Sequence, residues 1–365
     1  MLTVLHGPVN VGNQPWILSR NERALGVISE LVVNYNTWLG YPADRVLTPL
    51  SRGSTGDKLR RLFFGLTAPL RYDILHYYFG LSYLCWNDYG LRNGLWFKDV
   101  GLARRLGRKL FMTLQGCDVR LSDRSAAHNR YTPCADGHCQ AKATCVATLD
   151  RERRHLIEHI LPRFDRVFVL NPELVQYVPG AVFMPYASVD VEPVAPAWPT
   201  ANGPPKILHA PSDPAIKGSD YIIAAVERLK QRYPLEFILV KGLPHAEAMK
   251  LYQQADLVID QTLAGWYGGF AVEAMAMGKP VACYIRKTDL EFVPAAMAVE
   301  MPFLQITPDT IESDLEAALQ RRREWPDWGR RARDFVLRWH HPRRIAESMI
   351  RAYHDPESRF DLPEH

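Results

Sequence analysis

Short β-branched and apolar runs alternate along this chain with longer segments whose apolar residues recur every three or four positions. That alternation predicts parallel sheets covered by helices, an α/β protein. In the first half the strand-like runs are residues 2–5, 30–34, 73–77, 109–114 and 166–170. Residues 191–205 hold five prolines and no period, which reads as an extended linker. A second series follows, with strands at 206–210, 236–241, 257–260 and 281–285 and helices at 219–232, 245–254 and 271–277. In the helix at 219–232, Ile222, Val226 and Leu229 form one apolar stripe, with Ser219 as its expected N-cap. From about residue 311 the chain reads as helical, with basic clusters at Arg321–Arg323 and Arg330–Arg331.

The expected organisation is two doubly wound domains facing across a cleft. The first spans 1–190 with a Cys-rich insertion at about 115–146, and the second spans 206–335. A helical tail, 336–365, is expected to return to the first domain. In such folds ligands sit at the carboxyl ends of the strands.

The 365 residues carry 44 Lys and Arg against 40 Asp and Glu, a net charge of +4. That balance excludes disorder and gives no argument for nucleic acid. No apolar run is long enough to span a bilayer, and the start lacks a basic, apolar leader. The expected compartment is therefore the cytoplasm, where thiols stay reduced.

The most informative segment runs from Asp256 to Tyr284. A buried strand ends at Asp260, a turn carries Gly265, Trp266, Tyr267, Gly268 and Gly269, and a helix opens near Phe270. Two adjacent glycines let backbone N–H groups approach a phosphate at a positive helix end, with Glu273 placed for ribose hydroxyls. A tight strand–helix turn, with Glu273 favouring the helix dipole, accounts for the same residues. In the second segment, His209 to Ser219, Lys217 stands before a helix start. It is either a mobile cation for a diphosphate or a solvated loop lysine.

Together these segments resemble the retaining GT-B glycosyltransferases with the "group 1", family 4-like C-terminal domain. The likeness is carried by Lys217-Gly218 before a helix and Ala255-Asp256-Leu257 before a strand. Gly268-x4-Glu273-Ala-Met-Ala-x-Gly278-Lys-Pro280-Val281 adds to it, as does Met184-Pro185-Tyr186-Ala187-Ser188-Val189-Asp190. It covers about residues 185–290 well and the first half loosely. The resemblance implies sugar transfer from a nucleotide-diphosphate sugar to a saccharide or lipid-linked acceptor, with retained configuration, in surface polysaccharide or glycolipid synthesis. It implies Lys217 against the departing diphosphate, Glu273 on the ribose, and the amides of Gly268, Gly269 and Phe270 on phosphate or sugar. His209, Ser212, Gly218, Gly265 and Tyr267 complete the expected donor site. No metal is required for catalysis, and no Asp-x-Asp motif is present. Two positions depart from the pattern: Ser212 replaces an arginine, and Gly265 replaces the first glutamate of a Glu-x7-Glu pair. Lys241 is a candidate for the missing cation. These departures keep open a non-catalytic nucleotide-sugar binder or partner subunit. A sugar-nucleotide epimerase on the same scaffold is a further alternative.

In the first half, the loop His6 to Gly12 follows a strand, and its glycines admit close backbone approach. His6, Gly7, Asn10, Gly12 and Asp118 are the expected acceptor contacts, with His76 near the reacting sugar. A satisfied buried histidine and an Asp118–arginine pair are the competing readings. Cys117, Cys134, Cys139 and Cys145 crowd into 29 residues rich in turn formers. They read either as a structural zinc site, with an iron–sulfur cluster as a second metal reading, or as free or disulfide-forming thiols. Finally, residues 57–66, 96–98 and 104–109 mix cations with bulky apolar side chains. That mixture suits an anionic membrane face, and equally helices packed on a sheet with solvated basic faces.

Overall fold

The computed structural model describes residues 1–49, 53–85, 94–200 and 202–362. The chain divides into two compact units. One comprises Met1–Leu121, Ala143–Ser188 and Pro342–His365, and the other Ser122–Lys142 and Val189–His341.

The first unit is built on seven strands: β1 (Thr3–Gly7), β2 (Ile28–Val33), β3 (Arg45–Val46), β4 (Ile74–Tyr78), β5 (Lys109–Leu114), β6 (Arg166–Val169) and β7 (Val182–Phe183). Their order is β3-β2-β1-β4-β5-β6-β7, and every neighbouring pair is parallel. Parallel strands joined by crossover helices are covered on both faces, so β1, β4 and β5 are buried almost throughout. Val4, Leu5, Ile74, Leu75, Leu110, Phe111 and Met112 are all buried. The C-terminal helix Pro342–His354 packs against the helix Gln14–Ala24. Lys109 ties it down by donating to the Tyr353 and His354 carbonyls at 2.9 and 2.6 Å.

The second unit holds β8 (Lys206–His209), β9 (Glu236–Leu239), β10 (Leu257–Ile259), β11 (Val281–Cys283) and β12 (Leu304–Gln305), ordered β12-β11-β10-β8-β9 and again all parallel. The helix Ser219–Lys230 buries Ile222, Ala225, Val226 and Leu229 on this sheet, against Ile207, Leu257 and Trp325. Its cap differs from expectation. Gly218 occupies the N-cap in a left-handed conformation, and the Ser219 hydroxyl is turned inward to His209.

The segment Ser122–Lys142 clusters with the second unit, although it lies within the expected first-domain insertion. Arg130 and the Tyr131 hydroxyl both donate to Asp309 Oδ2, at 2.6 and 2.5 Å, and His138 Nε2 lies 3.0 Å from the Tyr221 hydroxyl. Strands β3, β7 and β12 have two residues each and leave no alternating pattern to read.

Candidate functional site

The carboxyl ends of β8 and β10 carry the chemistry of the second unit. Asp213 caps the single turn Pro214–Lys217 by accepting from the Ala215 and Ile216 amides at 3.0 and 3.2 Å. Gly218 then takes φ +70°, and a Cβ there would lie 2.2 Å from Thr262 Oγ1. Only glycine allows this approach. The Thr262 amide donates to the Lys217 carbonyl at 3.0 Å, which fixes the lysine loop to the turn after β10.

That contact delivers Lys217 Nζ to Asp260 Oδ1 at 2.5 Å. The carboxylate is fully buried and the lysine side chain is 15% exposed. The Gly268 amide, at the mouth of the helix Gly269–Ala276, donates to Asp260 Oδ2 at 2.8 Å. One buried carboxylate therefore gathers the ammonium and the helix-mouth amide expected to meet a phosphate. A Cβ at Gly268 would stand 3.1 Å from Lys217 Nζ. Lys217, Gly268, Gly269 and Phe270 are all partly accessible there. Asp260 is the candidate site residue that the sequence did not single out. Its signal was its place at the end of an apolar run, before the glycine-rich turn.

Glu273 is buried one turn further along, and His245 Nε2 donates to its Oε1 at 2.7 Å. Burial opposes charge on His245, but the hydrogen bond and charge of Glu273 outweigh it and hold the imidazole above its ordinary pKa. Tyr252 packs its ring on Phe270, with centroids 4.7 Å apart. Gln261, wholly buried, pins the turn: Nε2 donates to the Trp266 and Tyr284 carbonyls at 2.9 and 2.8 Å, and Oε1 accepts from the Ala264 amide at 2.6 Å.

Other expected donor residues take structural places. His209 is buried, with Nδ1 2.8 Å from the Ile259 carbonyl and Nε2 2.8 Å from Ser219 Oγ. A carbonyl only accepts, so Nδ1 carries the proton and Nε2 accepts from the serine. Burial pushes this imidazole down to about 4, and the charges of Lys217 and Lys241 act in the same direction. Tyr267 is also buried, its hydroxyl 2.8 Å from His340 Nε2 and its ring stacked on Trp266 and Phe303. It anchors the turn and presents nothing to a ligand. Gly265, at φ +76°, makes room for Arg286: a Cβ would fall 2.6 Å from the guanidinium carbon. Arg286 is paired to Asp289 at 2.9 Å and donates to the Tyr131 carbonyl at 3.2 Å. Ser212 and Lys241 are exposed on their loops.

In the first unit, His6 and His76 sit in register on adjacent strands and are buried beneath the helices. His6 Nε2 donates to Glu22 Oε2 at 2.8 Å, while Ser29 Oγ and the Tyr353 hydroxyl donate to the same carboxyl group at 2.7 and 2.9 Å. His76 Nδ1 lies 2.9 Å from that tyrosine hydroxyl and Nε2 lies 2.7 Å from Thr113 Oγ1. This closed network ties the C-terminal helix to the sheet, so His6 and His76 are core residues where acceptor and sugar contacts were expected. Gly7 admits Tyr83, whose hydroxyl would lie 2.1 Å from a Cβ there. Asp118 forms a turn on itself by accepting the Gln115 and Gly116 amides at 2.8 and 2.7 Å. Arg120 is bound to buried Glu173, and its charge also acts on the Asp118 carboxyl against the burial that raises it. Asn10 and Gly12 stay in the loop after β1: Asn10 Nδ2 donates to the Pro42 carbonyl at 2.8 Å, and Gly12 faces Gln115.

None of the four clustered cysteines forms a disulfide, and among the described residues no three Cys, His, Asp or Glu side chains are gathered as a metal site. Cys117 and Cys145 belong to the first unit, against Arg120 and Arg153 respectively, and Cys134 and Cys139 belong to the second. The polar segment that suggested a zinc site makes contacts through Arg130, Tyr131 and His138.

Two Rossmann-like units, each built on a parallel sheet, match the GT-B fold of glycosyltransferase structures. No protein-family model matches the sequence, and no curated protein matches it. Solved structures do match in fold along nearly the whole length. Sucrose-phosphate synthase from Thermosynechococcus elongatus is 14% identical with a TM-score of 0.63, over 98% of this chain and 99% of its own. A glycosyltransferase from Rickettsia africae is 13% identical at a TM-score of 0.59, covering 96% and 97%. HepE from Anabaena, solved with UDP and glucose, is 13% identical at 0.58, covering 96% and 99%.

Proposed function

We propose that this protein is a retaining glycosyltransferase that uses a nucleotide-diphosphate sugar. The observation that carries the reading is the junction of Lys217, Asp260 and the Gly268 amide at the mouth of the helix Gly269–Ala276. An ammonium and a helix N-terminus held at one point suit a diphosphate whose charge grows as the sugar leaves. Asp260 keeps the lysine there before the donor arrives, and the incoming diphosphate competes with that carboxylate for the ammonium. Glu273, oriented by His245, is placed one helical turn away for ribose hydroxyls. Cation and amides supply the leaving-group stabilisation without a divalent metal. Structures of this fold with UDP and glucose support a UDP-type donor. The proposed acceptor is a saccharide or lipid-linked saccharide in surface polysaccharide or glycolipid synthesis, handled in the cytoplasm.

The neutralised state of Lys217 favours one rival, a nucleotide-sugar binder without turnover. Incubating the protein with isotopically labelled nucleotide sugars and oligosaccharide or lipid-linked acceptors separates the two. Transfer, with the donor's anomeric configuration retained by NMR, supports the proposal. Binding without product supports the rival, and an inverted product refutes retention.

A further inference from the structure

A cavity of about 820 Å³ opens at the amino ends of β8, β9 and β10, the end of the second sheet opposite to Lys217 and Asp260. One wall is the last part of the proline-rich segment. The Ala197 amide donates to the Met277 carbonyl at 2.8 Å, and the Thr200 amide donates to Asp256 Oδ1 at 2.8 Å. Trp198, between them, lies against Gly278, where φ is +75° and a Cβ would run into the indole. The tryptophan is still 38% exposed and lines the cavity with Leu235 and Phe237. Lys279 lines it too, although only 1% exposed, and its Nζ donates to one neutral group, the Gln253 carbonyl, at 2.8 Å. Among the described residues no carboxylate stands within ion-pair distance of this ammonium. Burial pushes its pKa down to about 8, against a weaker pull from Asp256, whose oxygens are occupied by the Thr200 and Lys206 amides. Two further lysines stand at the rim, Lys206 at 3.7 Å from Glu236 and Lys230 at 3.0 Å from Glu227, all four side chains open to water.

We propose that this cavity binds a small phosphate monoester, its phosphate paired with Lys279 and its body laid against Trp198. A buried ammonium with a single carbonyl partner keeps two N–H donors and its charge unmet, and a buried charge is stable only when paired. A phosphate monoester brings close to two negative charges and three acceptor oxygens. That suits one buried and two rim ammonium groups better than a carboxylate does. The exposed pairs Lys206–Glu236 and Lys230–Glu227 are weak, so both lysines are available to an incoming anion. The volume is far larger than a bare phosphate needs and is that of a pocket for a small organic ligand. The indole, with Leu235 and Phe237, gives the ring of such a ligand an apolar platform. The inference is independent of the donor-site reading, because the cavity lies at the other end of the sheet.

The test is titration calorimetry of the full chain with ribose 5-phosphate, inorganic phosphate and ribose, on wild type, Lys279→Met, Lys206→Gln and Lys217→Ala. The expected result is that the ester binds at least roughly tenfold more tightly than ribose. Lys279→Met replaces the ammonium by an apolar chain and loses at least roughly tenfold of the ester affinity. Lys206→Gln changes only a surface side chain and loses roughly threefold, so the assignment does not hang on the folding of Lys279→Met. Lys217→Ala binds the ester as wild type does, which separates this cavity from the junction at Asp260. Wild type that binds neither the ester nor inorganic phosphate at about 10 mM overturns the proposal. Ester affinity unchanged in both Lys279→Met and Lys206→Gln overturns it as well. Affinity lost in Lys217→Ala but kept in Lys279→Met assigns the phosphate to the Asp260 junction and overturns it too.

Discussion

The junction at Asp260 yields an opposed pair of outcomes. Asp260→Asn removes the carboxylate that holds Lys217 at 2.5 Å, while the neutral amide oxygen can still accept one N–H. In the unliganded protein this leaves a largely buried ammonium without its charge partner, at a cost of about 2 kcal/mol, below the 3–5 of a fully buried pair because the lysine is partly wet. For a unit of this size that lowers Tm by roughly 4–8 °C. A diphosphate then no longer competes with Asp260, and the net pairing energy given back, about 1–2 kcal/mol, tightens nucleotide binding roughly five- to thirtyfold. Lys217→Ala acts oppositely on binding: it strands the Asp260 charge, lowers Tm by a similar or larger amount, and loses the diphosphate contact. Differential scanning fluorimetry gives the first quantity and titration calorimetry with nucleoside diphosphates the second. Should both variants lose stability while nucleotide affinity stays at the wild-type value, Lys217–Asp260 is an ion pair of the fold alone.

Other outcomes follow from the same geometry. Gly265→Ala places a Cβ 2.6 Å from the Arg286 guanidinium at a left-handed φ, so it costs at least about 2 kcal/mol in denaturant unfolding; a loss under 0.5 refutes the packing account. His245→Ala leaves Glu273 unoriented and is expected to raise the donor KM more than it lowers kcat, which initial-rate kinetics separates. His209, held near 4 when folded, binds its proton near 6.5 once unfolded, so stability falls as pH drops through that interval. This histidine alone contributes roughly 2 kcal/mol of loss between pH 7 and pH 5, and His76, also lowered by burial, adds in the same direction. A wild-type unfolding free energy unchanged over that range refutes the buried neutral assignment.

The strands longer than three residues stood out because runs such as Leu110–Phe111–Met112 are buried on both faces and leave unbroken apolar signal. The glycine-rich turn and the lysine loop were legible for a similar reason: Gly218 and Gly268 are required by local close approach. The pairings were not. Lys217 meets Asp260 across 43 positions and His245 meets Glu273 across 28, and no local pattern records a contact between elements that follow different strands. His6 and His76 misled for a related reason. Each ends an apolar run, as a site residue would, but its partners Glu22, Thr113 and Tyr353 lie on other elements and close the network inside the core. The cysteine spacing looked local, yet its four thiols divide between two units.

The most direct test of the central claim is a thermal-shift screen of the purified protein against UDP, GDP, ADP, TDP and their common sugars, with Lys217→Ala alongside. The account predicts a rise in Tm selective for one nucleotide family and absent in the variant. A rise of equal size in Lys217→Ala, or no rise with any nucleotide, contradicts it.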